Sequence, residues 1–273
     1  MSLIEIMAYL VTGVFSGLLA GLLGVGGGVV IVPMLILMFS HLGFAPQWLA
    51  HLAVGSSLAT IIGTGLTSAL AHHRRGAVRW ELFRRLSPGI VLGAWAGAAL
   101  AGFLPQQWLQ RIFGIFLLYV GLRMLRPFAA LFQIGPGTPS QGSGPTGPPH
   151  HWAAGSAIGV LSAIVGIGGG TLTVPYLVKT GLTMRQAVAT SSACGLPIAL
   201  AGAIGFMVSG WGRPGLPPFS TGFVYWPAVL GILLASMPLA PLGARLAHSL
   251  PIPVLTRIFG SLLLVVAAKL LLG

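Results

Sequence analysis

Runs of about 20 apolar residues recur along the whole sequence, and charged residues are almost confined to the ends of these runs. Hydrophobic residues make up 55% of the chain and charged residues only 6%, which is too little charge to cover the surface of a soluble domain. A helix of about 20 residues spans the roughly 30 Å apolar core of a bilayer. Because the runs are continuously apolar rather than alternating, they disfavour a transmembrane barrel. The sequence therefore predicts an all-α polytopic protein of the cell (inner) membrane.

The charged residues are strongly unbalanced, with 14 Lys and Arg against 2 Asp and Glu and a net charge of +12. Such a balance also occurs in nucleic-acid-binding proteins, but here the basic residues flank apolar runs, as in cytoplasmic loops. We therefore expect the bilayer, and no nucleic acid, as a partner. The single cysteine, Cys194, excludes an intramolecular disulfide and a cysteine-built metal site. We expect no cofactor, no metal site and no catalytic residue.

One stretch interrupts the apolar pattern near the middle of the chain. Ten of the fifteen residues from 135 to 149 are Gly or Pro and none is charged, which is typical of an exposed linker. We therefore predict a first transmembrane repeat over residues 1–126, a linker over 127–150 and a second transmembrane repeat over 151–273.

The two parts on either side of this linker are similar to one another. Residues 24–33 (GVGGGVVIVP) match residues 166–175 (GIGGGTLTVP) at six of ten positions. Residues 104–125 match residues 250–271 at eleven of twenty-two positions, including a shared RIFG. Composition alone does not explain a shared run of Arg, Phe and Gly, so the sequence indicates an internal duplication.

Each repeat contains five apolar segments. In the first repeat we expect helices at residues 4–23, 29–39, 50–71, 86–104 and 108–125. In the second repeat we expect helices at residues 152–165, 171–178, 186–208, 224–246 and 254–272. The second helix of each repeat is short and is preceded by glycines. An odd number of segments makes the second repeat enter the membrane upside down, which predicts two inverted repeats.

The positions of the basic residues predict which side of the membrane each loop faces. Residues 72–85 carry five arginines and are expected in the cytoplasm. Alternating outward from this loop places eleven of the 14 basic residues on the cytoplasmic side. The count fits two arrangements equally well: the first two segments of each repeat cross the membrane fully, or they form a hairpin that dips in and returns.

The glycine clusters that open the short helices are candidates for a substrate site. Glycine adopts backbone angles closed to other residues and lets another group approach the main chain. A helix that starts there presents free N–H groups and a partial positive charge, which favour an anion. Inverted repeats with broken helices are typical of secondary transporters, whose site lies at the repeat interface. Close helix packing is the alternative role for such small residues.

Hydroxyl side chains complete the predicted site, because they donate hydrogen bonds to an oxyanion without adding charge. Ser56 and Ser57 fall opposite Ser191 and Ser192 in the duplication, and interhelical or back-bonding contacts are the alternative for each. The predicted substrate-binding residues are Gly26, Gly27, Gly28, Ser56, Ser57, Gly168, Gly169, Gly170, Thr190, Ser191 and Ser192. The two carboxylates of the chain, Glu5 and Glu81, lie outside the central segments. A carboxylate proton relay of the kind found in proton-coupled carriers is therefore not expected.

With these motifs the sequence resembles the TauE/SafE family of sulfite and organosulfonate exporters. The family pattern is a GxGGG-type cluster with a nearby proline early in each half. Here it is carried by Gly24, Gly26, Gly27, Gly28 and Pro33, and by Gly166, Gly168, Gly169, Gly170 and Pro175. The resemblance covers essentially the whole chain apart from the linker. It implies a membrane transporter that exports small anions, with sulfite or small organosulfonates as the expected substrates.

Two further functional classes stay open at this point. Serines and histidines inside apolar segments are also found in intramembrane hydrolases, which need nucleophile and base within hydrogen-bond reach. A non-transporting membrane protein that assembles with other proteins is the third class. Short loops and a linker without charge leave little surface for that role.

Overall fold

The computed structural model describes residues 3–23, 27–125, 148–246 and 252–272. The first half contains the helices α1 (Leu3–Leu23), α2 (Gly28–His41), α3 (Leu49–His73), α4 (Trp80–Phe103) and α5 (Gln106–Leu125). The second half contains α6 (Pro148–Val165), α7 (Gly170–Lys179), α8 (Met184–Ser209), α9 (Trp226–Leu246) and α10 (Ile252–Leu272). A 3₁₀ turn (Pro46–Trp48) leads into α3, and a short hairpin of β1 (Ser220–Thr221) and β2 (Val224–Tyr225) leads into α9.

Within the described residues, six segments are long and apolar enough to cross a membrane: Leu3–Gly21, Pro46–His73, Trp80–Phe103, Gln106–Leu125, Met184–Ser209 and Trp226–Gly243. Large apolar side chains such as Trp95, Phe103 and Leu234 are more than half exposed on their outer faces. Such a surface fits the apolar interior of a bilayer, because soluble proteins rarely expose so large an apolar area to water. The prediction of an all-α polytopic membrane protein is confirmed.

The short second helices of the two halves are also as expected. The helix α2 has 14 residues and α7 has 10, which correspond to about 21 Å and 15 Å at 1.5 Å per residue. Pro33 and Pro175 lie inside these helices, within the predicted ranges 29–39 and 171–178. Pro197 likewise lies inside the continuous α8. Buried membrane helices tolerate proline because neighbouring helices and hydroxyls satisfy the freed backbone groups.

Two other helix boundaries differ from the predicted ones. The helix α6 begins at Pro148, inside the predicted linker, because proline fits the first position of a helix. The helix α4 begins at Trp80, six residues earlier than expected, within the arginine-rich loop. The remainder of the predicted linker, residues 127–147, lies outside the described residues.

Glycines set the closest contacts between the two halves. Gly89, Gly93 and Gly97 of α4 face the backbone carbonyls of Trp152, Ser156 and Val160 of α6. Because the contacts advance together along both chains, α4 and α6 run parallel. In the same way, Gly13 and Gly17 of α1 face the carbonyls of Ile232 and Ser236 of α9, so α1 and α9 also run parallel. These glycines have the packing role that small residues commonly take in membrane proteins.

The helices α3 and α8 cross in the centre of the bundle and run antiparallel. Leu58 lies against Gly202, Leu196 lies against Gly65, and Ser68 donates to Ser192 at 3.4 Å. On the periphery α5 and α10 are also antiparallel, since Gly114 faces Leu271 and Gly121 faces Leu264. The central pair is the most buried part of the molecule.

Candidate functional site

The last glycine before each short helix has the same backbone conformation in the two halves. Gly27 is the residue before α2 and Gly169 is the residue before α7, with left-handed φ angles of 78° and 75°. The carbonyl of Gly27 accepts from the amides of Val30 and Ile31, and the carbonyl of Gly169 accepts from those of Leu172 and Thr173. Each cluster therefore turns the chain sharply and starts a helix, as only glycine does without strain.

The beginnings of α2 and α7 have no side-chain cap. From the third helical residue on, the amides bond to the carbonyl of the preceding glycine or to later carbonyls, whereas the amides of the first two helical residues have no partner inside the helix. Each helix start also carries a partial positive charge. These properties are those of a backbone anion site.

The structure brings the two clusters together in the middle of the bundle. A methyl group placed on Gly28 would lie 3.0 Å from Cα of Ile167 and 2.9 Å from Cδ1 of Ile61, a residue halfway along α3. On the other side, a methyl group on Gly195, near the middle of α8, would lie 3.0 Å from the carbonyl oxygen of Gly168. The first cluster and the second cluster thus meet between α3 and α8. Gly26 lies outside the described residues.

Three of the predicted hydroxyls bond to the backbone of other segments, and one of these, Ser57, lies at the junction. Ser57 donates to the carbonyl of Gly166 at 2.8 Å and so ties α3 to the second cluster. Ser56 accepts from the amide of Tyr225 at 2.9 Å, at the start of α9. Thr190 accepts from the amide of Arg79 at 2.9 Å, at the start of α4. All three are fully buried.

Two of these bonds are alike in the two halves. Ser56 caps the segment that begins α9, and Thr190 caps the segment that begins α4. By this contact Ser56 resembles Thr190, which lies one residue earlier than the pairing suggested by the Ser-Ser sequences. Ser191 is fully buried beside Thr190. Ser192 donates to the carbonyl of Val188 at 3.1 Å, a back-bond within α8. The assignment of these hydroxyls to a substrate stays a prediction.

Three hydroxyls that the sequence analysis did not select lie around the second cluster. Within the described part of the chain, Oγ of Ser162 and Oγ1 of Thr171 and Thr173 are buried and have no hydrogen-bond partner. A methyl group on Gly169 would lie 3.1 Å from Oγ1 of Thr173 and 3.3 Å from Oγ of Ser162. A comparison of the two repeats could have identified these three residues, because their aligned positions in the first half are apolar. When the clusters are aligned, these positions correspond to Ala20, Val29 and Ile31 in the first half.

No carboxylate lies near the clusters among the described residues. Glu5 is in the first turn of α1 and Glu81 is in the first turn of α4. Glu81 pairs with Arg85 at 2.6 Å in an exposed i,i+4 contact, which contributes at most about 0.5 kcal/mol to stability. The interior of the bundle around the clusters is thus built from backbone and neutral side chains.

Two histidines, His51 and His151, make hydrogen bonds between helices. Nε2 of His51 lies 3.1 Å from the carbonyl of Ala101 and 3.2 Å from that of Leu104, where it fixes the end of α4. Nδ1 of His151 lies 2.7 Å from the hydroxyl of Tyr176 and so joins α6 to α7. Both contacts are structural, because they connect neighbouring helices.

A groove of about 320 Å³ lies between α6 and α7, away from the junction of the clusters. It is lined by apolar side chains such as Leu161 and Leu172, with Lys179 at one end. Neither Ser162 nor Thr173 lines it. The groove and the buried hydroxyls are therefore separate features of the same helix pair.

The fold and the junction of the clusters define a multi-pass α-helical membrane protein, and comparison with known proteins identifies its family. The sequence profile described as "Sulfite exporter TauE/SafE" matches residues 9–270. The chain belongs to the TauE/SafE family and is a membrane transporter.

Relatives in several organisms are similar along most of the chain. A probable membrane transporter protein of Haemophilus influenzae is 36% identical over 267 residues, which cover 98% of each chain. The probable membrane transporter protein YunE of Bacillus subtilis is 29% identical and aligns with 73% of this chain and 77% of its own length. YdhB of the same organism is 28% identical, with 86% and 87% covered. No solved structure matches the chain significantly.

Proposed function

We propose that this protein exports small anions, with sulfite or small organosulfonates as substrates, through a site where the two glycine clusters meet. The observation that carries the proposal is the convergence of two uncapped helix beginnings in the middle of the bundle. Both face a region without carboxylates, so their partial positive charges are not neutralised. The family description supports the sulfur oxyanion, since sulfite and sulfonates present oxygens that accept from N–H and O–H groups.

Backbone amides are better suited than a buried cationic side chain to a transporter site, because the substrate has to be released again. An arginine pair buried beside the substrate would bind it in two bidentate contacts, which slows release. Amides at Gly27, Gly28, Gly169 and Gly170 bind without a full charge, and Gly26 and Gly168 belong to the same proposed surface. Ser56, Ser57, Thr190, Ser191 and Ser192 hold and border this surface on α3 and α8.

The proposed architecture is a pair of inverted repeats. The helices α1 and α3 both run parallel to α9, and α4 runs parallel to α6 and α8. Since α3 and α8 are antiparallel, each helix of the first half points opposite to its counterpart in the second. The pairs α1 and α6, α3 and α8, α4 and α9, and α5 and α10 all follow this rule. Such inversion supports alternating access around a fixed central site.

The short helices fit hairpins that dip into the membrane and return. The beginnings of α2 and α7 lie beside the middle of α3 and of α8, and with 14 and 10 residues neither helix is long enough to span an apolar core of roughly 30 Å. Irregular backbone at this depth is stable where it is buried in protein, as it is here. This geometry supports the re-entrant arrangement over two full crossings.

Sidedness has a direct test. The amide of Arg79 bonds Thr190, so the arginine-rich loop and the start of α8 share one end of the bundle. The inverted arrangement places that end in the cytoplasm and both chain ends outside it. A reporter active only in the cytoplasm should be silent when fused after Gly273 and active in the loop at Gly76. A strong signal after Gly273 would contradict the inverted arrangement.

Transport is proposed to be driven by membrane potential. Moving one elementary charge through 100 mV corresponds to about 2.3 kcal/mol, so a negative interior expels a monoanion with a roughly fifty-fold concentration bias. No intramembrane carboxylate is needed for this mechanism. The experiment uses proteoliposomes loaded with labelled sulfite, clamped with potassium and valinomycin at equal pH. Efflux should accelerate when the loaded side is negative. A rate that ignores voltage and follows a pH gradient would contradict the mechanism.

A further inference from the structure

We infer that the substrate anion binds most closely on one side of the junction, at the beginning of α7, where the hydroxyls of Ser162 and Thr173 donate to its oxygens. This inference rests on the proposed function and makes it more specific. The two halves share a backbone but not these side chains. One small oxyanion, such as sulfite or the sulfonate group of a larger molecule, is the ligand class.

The two hydroxyls are unpartnered although they are completely buried. Ser162 and Thr173 are each 0% exposed, and within the described residues neither oxygen has a hydrogen-bond partner. Nearly all buried polar groups in proteins are hydrogen-bonded, because each unpaired one destabilises the fold. Two such groups side by side indicate a ligand that supplies the missing acceptors.

Both hydroxyl oxygens lie close to the same backbone position. The oxygens lie 3.1 Å and 3.3 Å from the place where a methyl group on Gly169 would be, and the terminal methyl of Ile198 lies there too. Gly169 precedes α7, whose first-turn amides have no side-chain cap. Two O–H groups and the helix beginning thus lie around one position, and the inference requires the Ile198 side chain to turn away when an anion binds. A sulfite or sulfonate group, with three oxygens around sulfur, matches several donors from one side.

The sign of the ligand's charge follows from the surroundings. A hydroxyl oxygen also binds a cation, but a helix beginning repels one. A cation site usually contains carboxylates, and the whole chain has only two, Glu5 and Glu81. Both lie in the first turns of other helices. An anion is therefore the ligand that the hydroxyls and the helix beginning favour together.

The first half lacks the equivalent donors. Ser162 corresponds to Ala20 and Thr173 to Ile31 in the aligned clusters, and both of these apolar residues are fully buried. Among the described residues, the hydroxyl residue that lies against Gly27 is Ser16, and its Oγ already donates to the carbonyl of Gly13 at 3.2 Å. This difference places the stronger part of the site on the second half.

The test uses the purified full chain in lipid nanodiscs, with sulfite as the probe. Sulfite affinity is measured from the rise in the unfolding midpoint Tm with sulfite concentration. Ser162→Ala and Thr173→Val remove one hydroxyl each, while Thr173→Ser retains it. Ser236→Ala is the matched control, because Ser236 is also fully buried and its hydroxyl also has no partner among the described residues. Ser236 lies instead against Gly17, between α1 and α9.

We expect Ser162→Ala and Thr173→Val each to weaken sulfite binding about tenfold to a hundredfold, the range for hydrogen bonds to charged groups. Without sulfite their Tm should be unchanged or higher, because an unpaired buried hydroxyl is removed. Thr173→Ser and Ser236→Ala should bind sulfite like the wild type. Counterflow of labelled sulfite in proteoliposomes should follow the binding data.

Three results would overturn the inference. If Ser162→Ala and Thr173→Val both bind sulfite as tightly as the wild type, the hydroxyls do not contact the anion and the inference is wrong. The proposed function would still hold if the wild type transports sulfite. Weaker binding together with a lower Tm in the absence of sulfite would assign them a structural role. A wild-type protein that neither binds nor transports sulfite or methanesulfonate would contradict the proposed function itself and this inference with it.

Discussion

The beginnings of α2 and α7 have the same backbone conformation but different neighbouring side chains. Gly27 and Gly169 adopt the same left-handed conformation and begin helices in the same way. Around the first, the aligned positions are Ala20, Val29 and Ile31. Around the second they are Ser162, Thr171 and Thr173, whose hydroxyls are buried.

The comparison separates two requirements on a duplicated site. The backbone must be the same in both halves, because each half has to turn the chain and begin a helix at the same depth. The side chains are under no such constraint, since one set of donors is enough for one small anion. Duplication thus accounts for the common conformation at Gly27 and Gly169. Substitutions at a few neighbouring positions make the two sides of the junction chemically different.

The glycines that begin α2 and α7 should show the largest effects. A residue with Cβ in the left-handed region is destabilised by roughly 1–2 kcal/mol, and crowding adds to this at both positions. A methyl group on Gly27 would lie 2.7 Å from the backbone oxygen of Ser16, whereas one on Gly169 would meet the terminal methyl of Ile198. Side-chain tips move more easily than backbone, so we expect Gly27→Ala to lower Tm more than Gly169→Ala does.

Gly43→Ala is the control for these two variants. Gly43 also has a left-handed φ angle, 69°, but nothing lies within 4 Å of the methyl group that alanine would add. It therefore reports conformational strain alone, and its loss of stability should be the smallest of the three. Equal Tm losses in all three variants would mean that crowding at Gly27 and Gly169 adds nothing to the loss of stability. Alanine at Gly27 or Gly169 thus tests folding first, and cannot by itself identify a substrate site.

The hydroxyl caps on α3 and α8 should show intermediate and equal effects. Ser56→Ala would leave the amide of Tyr225 unpaired, and Thr190→Val would leave the amide of Arg79 unpaired. A buried donor without a partner costs about 1–3 kcal/mol. We expect both variants to lose stability in this range, as measured by reversible unfolding in detergent.

Thr60→Val is the matched control for the caps. Thr60 is equally buried, but its hydroxyl donates only to the carbonyl of Ser56 within the same helix, at 2.8 Å. Its removal leaves no amide unpaired, so the loss should be smaller. A much larger effect of Ser56→Ala than of Thr190→Val would contradict the proposed correspondence between these two residues.

Much of this architecture could be predicted from the sequence, because apolar runs and an internal duplication are visible without coordinates. The ten helices of the described residues, including the two short ones, were all expected. The pairing of Ser56 with Thr190 was not, since hydrogen bonds to α9 and α4 depend on how the helices pack.

The hydroxyls of Ser162 and Thr173 were missed for a different reason. Serine and threonine are common in membrane helices, where most of them bond to their own backbone. Only atomic contacts separate such residues from the few without partners. The contrast with Ala20 and Ile31 was readable in the sequence. This contrast indicates a functional difference only once the structure shows that both clusters meet at one place.

The smallest expected effects come from exchanging a single position between the junctions. Val29 and Thr171 correspond in the two clusters and have nearly the same shape. Val29→Thr would bury a new hydroxyl beside the first cluster, and Thr171→Val would remove an unpartnered one beside the second. Burial of an unpaired hydroxyl costs on the order of 1 kcal/mol in protein mutational data. The two substitutions should therefore change stability by similar amounts with opposite signs: Val29→Thr should lower Tm and Thr171→Val should raise it.

The same exchange tests whether the two junctions are equivalent toward the substrate. If one anion binds at the beginning of α7, then Val29→Thr should not restore sulfite binding to the Thr173→Val variant. The added donor would lie in the wrong half, and the double variant should bind as weakly as Thr173→Val alone. Affinity is measured from the sulfite dependence of Tm. Recovery to the wild-type affinity would mean that a hydroxyl in either cluster reaches the anion, and the proposed polarity of the site would be wrong.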